Sequence, residues 1–235
     1  MDLNDILSKT ELIVFDMDGV LADTEPIYLD IERELMGRYG KNLSPELVEM
    51  IKGRSLLKSM EMILNELEID EKPEDLVKEE KRMLSERIRK YEIKAVPCSL
   101  DLLKLFSKMG YRMALATSTE WENAITVLSK LGIMGYFECV VTGDQVKETK
   151  PDPEIYLKVA RDVGVDPERC LVLEDSLNGV KSARNAGMKV IAVNVAEKFR
   201  KIFLRFTPFV FGSICELLGK LRIRGVVDEE KNNPV

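Results

Sequence analysis

The 235-residue sequence contains no histidine. Histidine is the commonest general base at neutral pH, the usual partner of a catalytic serine and a frequent zinc ligand. Its absence excludes a histidine-based catalytic triad, a histidine metal site and acid–base catalysis by histidine.

The sequence also lacks a CxxC pair. Its four cysteines are Cys98, Cys139, Cys170 and Cys215. Cys139 and Cys170 lie within apolar runs, where we expect buried free thiols in a reducing compartment. We therefore expect neither a disulfide framework nor a zinc site.

No basic cluster is present, and the net charge is -6. Binding to a nucleic-acid backbone needs a positive surface, so we expect no nucleic-acid partner. Residues 1–10 are too polar and acidic for a signal peptide. Residues 202–214 are apolar but too short to span a bilayer. We expect a cytoplasmic protein with no membrane partner, present as a monomer or a weak homo-oligomer.

Five short apolar runs predict β-strands, and Phe209–Phe211 is a candidate sixth. Amphipathic helical patterns alternate with them, which predicts an α/β core. Because the strands are hydrophobic throughout, we predict that the core is a parallel Rossmann-like sheet with helices on both faces. The strands are predicted at residues 11–16, 112–117, 138–142, 169–174 and 189–193, and the helices at 100–109, 120–131, 154–163 and 177–186.

Residues 25–94 interrupt this alternation with helical patterns alone. Ser44-Pro45-Glu46, for example, is a typical helix start, with a capping residue followed by proline. We predict an inserted α-helical cap domain at 25–94 and a core domain formed by 1–24 and 95–235. The polar tail at 228–235 is expected to be frayed.

Acidic, hydroxyl and lysine side chains follow the predicted strands. Ligands of parallel sheets bind beyond the carboxyl ends of the strands, so these side chains should meet in one cleft. Four carboxylates in one cleft repel each other, and a hard divalent cation relieves that repulsion. Oxygen donors favour Mg²⁺. The residues are Asp16, Asp18, Thr117, Ser118, Lys150, Glu174 and Asp175.

This set suits phosphoryl transfer. One acid of the Asp16/Asp18 pair can attack phosphorus to give an aspartyl-phosphate, while the other protonates the leaving oxygen and later activates water. The Thr117 hydroxyl, the Ser118 N–H and Lys150 can bind phosphate. Each residue alone also has a structural explanation, such as a helix cap or a solvated surface group. Their convergence favours the functional one.

Four segments resemble the ordered motifs of the haloacid dehalogenase superfamily. They are Phe15-Asp16-Met17-Asp18-Gly19-Val20, Thr117-Ser118-Thr119, Lys150-Pro151-Asp152-Pro153 and Leu173-Glu174-Asp175-Ser176. The sequence is most similar to the β-phosphoglucomutase-like phosphatases, which carry a helical cap after the first strand. The match covers residues 11–193, and 174–188 are especially close to that subgroup.

The resemblance implies a Mg²⁺-dependent phosphatase of a small phosphorylated metabolite such as a sugar phosphate. It assigns the nucleophile and a metal ligand to Asp16, and the general acid–base and a metal-binding carbonyl to Asp18. Asp175 would complete the metal site, together with Glu174. Thr117, Ser118 and Lys150 would bind phosphate, and Arg54, in a cap loop facing the site, would contact substrate.

Several alternatives remain open. A phosphomutase of the β-phosphoglucomutase type usually needs a cap histidine, and a dehalogenase would lack Asp18. A phosphonate hydrolase would need a Schiff-base lysine, for which Lys52 is the candidate. A phospho-accepting signalling module shares the aspartate, metal and lysine but has no helical insertion or second acid. A binding protein with a relic site is disfavoured by the intact residue set.

Overall fold

A computed structural model of the chain describes residues 2–222. The predicted frayed tail at 228–235 lies outside them. The core is a five-stranded sheet in the order β3-β2-β1-β4-β5, and every adjacent pair is parallel. The predicted fold class is therefore confirmed. The strands are β1 (Leu12–Phe15), β2 (Arg112–Ala116), β3 (Cys139–Val141), β4 (Cys170–Glu174) and β5 (Lys189–Ala192).

Helices cover both faces of this sheet. Side chains alternate along β1, so that Ile13 and Phe15 join one hydrophobic cluster while Leu12 and Val14 join a second on the opposite face. The helices exclude water from both faces of the sheet, which explains why the strands are apolar throughout. The helices that surround the core are α1 (Leu3–Ser8), α6 (Ser99–Lys108), α7 (Trp121–Leu131), α8 (Glu154–Val163), α9 (Leu177–Asn185), α10 (Arg200–Phe203) and α11 (Ile214–Leu221).

The helical insertion lies between β1 and α6. It contains α2 (Glu25–Gly37), α3 (Pro45–Ile51), α4 (Leu56–Glu66) and α5 (Pro73–Lys90). Ser44 caps α3 as its sequence predicts, because its hydroxyl accepts a hydrogen bond from the Leu47 N–H. The segments that lead into and out of the insertion lie side by side, and the Asp23 N–H of the first donates to the Lys94 carbonyl of the second at 2.9 Å. The domain boundaries next to these residues stay a prediction.

Two regions differ from the expectation. The candidate sixth strand is a single parallel bridge between Val210 and Ala192, although backbone hydrogen bonds of 2.8 Å flank it on both sides. Helix α1, which was not predicted, is capped by Asp2 and buries Ile6. Its six residues are too few for a helical period to stand out from the sequence. None of the helices in residues 2–222 has the length and apolar character that crossing a membrane requires.

The expectation that the cysteines form no disulfide is wrong for one pair. Cys98 and Cys215 form a disulfide with their Cα atoms 5.2 Å apart. They are 117 residues apart in sequence, and the packing of α11 beside α6 brings them together. Cys139 and Cys170 are free thiols, as predicted, but only Cys170 is buried and Cys139 is half-buried.

We predict that the unreduced, denatured protein exposes two titratable thiols per chain, rising to four after reduction. The Cys98→Ser/Cys215→Ser variant should lose about 2–4 kcal/mol of free energy of unfolding, because the crosslink restricts the unfolded chain. Urea unfolding with and without reductant measures this loss, and Cys139→Ser is the control. Four thiols before reduction would contradict the disulfide.

Candidate active site

The side chains predicted to form the site meet at the carboxyl edge of the sheet. Asp16 follows β1, Thr117 follows β2 and Glu174 ends β4. Lys150 reaches the same edge from the segment between β3 and α8. Because β1 lies between β2 and β4, three of these residues stand on neighbouring strands. The strand order therefore forms the cleft that the sequence implied.

A buried lysine lies at the centre of the cluster. The Lys150 ammonium is 2.7 Å from Asp16 Oδ1 and 2.6 Å from Glu174 Oε1. Its side chain is only 1% exposed, so it is not a surface lysine. Burial alone disfavours its charge, but Asp16 and Glu174 outweigh that effect and raise the pKa of Lys150 well above its ordinary value. The lysine therefore stays charged.

Both oxygens of Glu174 are fully engaged. Oε1 accepts from Lys150 and from the Tyr156 hydroxyl at 2.9 Å. Oε2 accepts from the N–H groups of Asp175 and Ser176, each at 3.0 Å, and from the Ser176 hydroxyl at 2.9 Å. Although burial opposes it, these donors and Lys150 lower the pKa of Glu174. Tyr156 was not predicted, because it occupies an apolar position of α8.

Hydroxyl groups surround the second acid of the first motif. Asp18 Oδ2 accepts from the Thr119 hydroxyl at 2.7 Å and from the Thr117 hydroxyl at 3.1 Å, and Oδ1 accepts from Thr24. The Tyr28 hydroxyl lies 2.9 Å from that of Thr119. Thr117 thus contacts Asp18 in this structure. Thr119 was not predicted as a site residue. Its position directly after the predicted pair 117–118 is the sequence feature that could have identified it.

The loop between α3 and α4 rests on the core. Its Gly53 carbonyl accepts from the Ser118 hydroxyl at 3.0 Å. Asn178, on α9, donates to the carbonyls of Lys52 at 2.8 Å and Met50 at 3.1 Å. Ser118 therefore contacts the insertion through its side chain, which leaves its backbone N–H for the predicted phosphate contact.

The two cations of this loop have partners within the chain. Lys52 Nζ is 2.9 Å from Asp175 Oδ2 and 3.2 Å from Glu25 Oε1. Arg54 lines the cavity above the site, but its Nε donates to the Met50 carbonyl at 3.1 Å. The ion pairs stabilise the charged form of Lys52, which a Schiff-base lysine would have to lose.

The acids fit a divalent cation. Carboxylate oxygens of Asp16, Glu174 and Asp175 all lie within 4.8 Å of one another. The contact of the buried Asp175 Oδ2 is the ion pair with Lys52 at 2.9 Å, which lacks the geometry of a hydrogen bond. An all-oxygen donor set suits Mg²⁺. The Asp18 carboxylate is not part of this group.

The burial and crowding of these acids shift their pKa values. Burial raises the pKa of Asp16 well above its usual range, and Lys150 only partly offsets that effect. Burial likewise raises the pKa of Asp175 to about 7 against the opposing charge of Lys52. Asp16 and Asp175 keep raised pKa values although each has a lysine beside it, so the cluster is short of positive charge.

A cavity of about 230 Å³ separates this cluster from the insertion. It is smaller than the roughly 300–1,000 Å³ of drug-sized pockets, so it suits a small molecule. Glu32 of α2 lines it, and Glu80 of α5 lies nearby. Burial and the charge of Glu25 raise the pKa of Glu32 to about 7, while burial and Glu32 raise that of Glu80 to about 8.

Comparison with known proteins agrees with the geometry. Residues 13–193 match the family model described as haloacid dehalogenase-like hydrolase. A phosphorylated carbohydrates phosphatase of Thermotoga maritima is 38% identical over 77% of this chain and 83% of its own. A fructose-1-phosphate phosphatase of Escherichia coli is 32% identical over 78% and 96%. The β-phosphoglucomutase structure from Clostridium difficile has 25% identity and a TM-score of 0.76, covering 92% of this chain and 97% of its own.

Gly179→Ala should destabilise the protein, because Gly179 packs against the Glu174 carboxylate. A Cβ atom at this position would lie 1.7 Å from Glu174 Oε1. We expect a loss of about 2–3 kcal/mol in the free energy of unfolding, measured by urea unfolding. Gly219→Ala in α11 is the control: its Cβ meets nothing within 4 Å, and alanine favours a helix. Equal stability of the two variants would contradict the proposed contact.

The buried Glu32 and Glu80 should make stability depend on pH. Their pKa values rise from 4.5 to about 7 and about 8 on folding. The folded protein therefore binds more protons than the unfolded chain above pH 4.5, and its free energy of unfolding falls as pH rises towards 8.

Glu32→Gln/Glu80→Gln should remove the contribution of these two acids to this fall. Relative to wild type, the variant should gain at least about 2 kcal/mol between pH 5 and pH 9, since each pKa unit corresponds to about 1.4 kcal/mol. Urea unfolding across that range measures the gain. Glu61→Gln/Glu66→Gln, two exposed positions of α4, is the matched control. Parallel pH profiles for all three proteins would contradict the raised pKa values.

Proposed function

Because this chain belongs to the haloacid dehalogenase-like hydrolases, we propose that it is a Mg²⁺-dependent phosphatase of a small phosphorylated metabolite such as a sugar phosphate. The observation that carries the proposal is the buried cluster of Asp16, Lys150, Glu174 and Asp175, of which Asp16 and Asp175 line the cavity. The relatives named as phosphatases of phosphorylated carbohydrates and of fructose 1-phosphate support the substrate class.

Asp16 is the proposed nucleophile. Its Oδ1 is held by Lys150, whereas its Oδ2 accepts no hydrogen bond from the rest of the described chain. Oδ2 can therefore attack phosphorus in line. The new bond joins Asp16 to the phosphoryl group as the bond to the leaving oxygen breaks, giving an aspartyl-phosphate and an alcohol.

Asp18 is the proposed acid and base. Three hydroxyl groups orient its carboxyl group, two of them from the segment after β2. Asp18 gives its proton to the leaving oxygen and then takes one from the water that attacks the aspartyl-phosphate. Hydrolysis releases inorganic phosphate, regenerates the Asp16 carboxylate and returns the proton to Asp18.

Phosphate binding needs donors and positive charge. Lys150, the Ser118 N–H and the buried Thr149 hydroxyl are the proposed contacts, and the last has no partner among the described residues although Thr149 lines the cavity. Asp16, Asp175 and the Asp18 carbonyl would hold Mg²⁺, with Glu174 orienting Lys150 beside them. A bound Mg²⁺ supplies charge that neutralises the phosphoryl oxygens.

Phosphate release from a panel of phosphorylated metabolites tests the proposal. Asp16→Asn should lower the rate at least about 10³-fold because the nucleophile is lost. Asp18→Asn should lower it about 10²–10⁴-fold because the leaving oxygen is no longer protonated. A chelator should abolish activity, and added Mg²⁺ should restore it.

The exposed Asp101→Asn is the control and should keep the wild-type rate. Wild-type turnover by Asp16→Asn would refute the nucleophile. An isomeric sugar phosphate in place of free phosphate would identify a phosphomutase. A long-lived phosphorylated enzyme without turnover would identify a signalling module.

A further inference from the structure

One cation beside the acid cluster has no role in the proposed chemistry. Lys52, in the loop between α3 and α4, places its ammonium group 2.9 Å from Asp175 Oδ2 and 3.2 Å from Glu25 Oε1. The side chain of Asp175 is only 2% exposed, so this ion pair lies largely out of water. The cluster is therefore compensated from two sides, by Lys150 of the core and by Lys52 of the insertion.

Lys52 is bound to a carboxylate that the proposed metal also needs. Carboxylate oxygens of Asp16, Glu174 and Asp175 lie within 4.8 Å of one another, so a divalent cation held among them would be close to the Lys52 ammonium. Like charges repel strongly where water is excluded, and Mg²⁺ demands close, well-oriented oxygen ligands. Asp175 therefore cannot serve the lysine and the metal equally well.

Of the two lysines, Lys52 is the one that can give way. Lys150 is 1% exposed, and both of its acidic partners belong to the cluster. Lys52 is 19% exposed, and its second partner, Glu25, begins α2 within the insertion. Burial opposes the charge of Lys52, but Asp175, Glu25 and Glu49 raise its pKa above the ordinary value. A Lys52 that leaves Asp175 thus keeps acidic neighbours in its own part of the chain.

The same ion pair attaches the insertion to the core. The loop between α3 and α4 also accepts hydrogen bonds from the Ser118 hydroxyl, at the Gly53 carbonyl, and from the Asn178 amide, at the Lys52 carbonyl. Those two donors are uncharged and are not proposed metal ligands. The pair of Lys52 with Asp175 is therefore the contact through which metal binding would act directly on this loop.

We propose that Lys52 is an internal counter-ion that competes with Mg²⁺ for Asp175, so that metal binding and the docking of the loop between α3 and α4 on the core oppose each other. Without metal, the ammonium group neutralises Asp175 and holds the loop. With metal, Lys52 turns to Glu25 and the loop loosens. The coupling is reciprocal, because detaching the loop also strengthens metal binding. This inference rests on the Mg²⁺ site of the proposed function.

Calorimetric titration of the metal-free, full-length protein with Mg²⁺ tests the competition. It is done at pH 9, where protons compete least for the carboxylates. Lys52→Met removes the charge and should lower the Kd at least about tenfold, because the repulsion is gone. Lys52→Arg keeps the charge and should stay within about threefold of wild type. Lys58→Met is the matched control: it breaks another ion pair between insertion and core, with Glu148 at 3.0 Å, and should leave the Kd unchanged.

Hydrogen exchange provides a second measurement. In the wild type, Mg²⁺ should speed the exchange of the backbone amides of residues 52–55, whereas in Lys52→Met their exchange should not respond to Mg²⁺. Glu25→Gln removes the alternative partner of Lys52 and should weaken Mg²⁺ binding. The same substitution in the Lys52→Met background should have a smaller effect, because no lysine is left to compete.

The remaining outcomes overturn the inference. An unchanged Kd in Lys52→Met would show that the lysine does not compete, and a higher Kd would show that it supports the metal site. Tighter binding by Lys58→Met as well would assign the effect to a loosened insertion instead of to the charge of Lys52. Either result, with Mg²⁺-dependent phosphate release intact, leaves the proposed function standing. Failure of every variant to bind Mg²⁺ would refute the metal site and the proposed function together.

Discussion

The site depends on the buried ammonium group of Lys150. Asp16 and Glu174 end adjacent strands, and two such acids cannot both stay ionised in a dry interior without a cation between them. Removing one partner from a buried ion pair leaves an uncompensated charge, at a cost of about 3–5 kcal/mol. Lys150 therefore ties the segment before α8 to the ends of β1 and β4, and it fixes which oxygen of Asp16 remains available for chemistry.

Glu174 extends this constraint to the helical insertion. The carboxylate that holds Lys150 also accepts from the N–H and hydroxyl of Ser176, and Ser176 caps α9. Asn178, in the first turn of α9, holds the loop between α3 and α4. The first turn of α9 thus connects the charged cluster, through Ser176, to the loop between α3 and α4, through Asn178. Glu174 is better explained as the organiser of these contacts than as a group with a free oxygen for metal.

The sequence predicted those parts of the molecule that depend on local pattern. Strand ends and their acids were located because apolar runs stop at Asp16 and Glu174. The Cys98–Cys215 disulfide and the Tyr156 contact were missed, because only the folded chain brings such distant residues together. Glu32 and Glu80 were missed for a related reason: on a charged, amphipathic helix, a glutamate that faces inwards has the same local sequence signal as one that faces solvent.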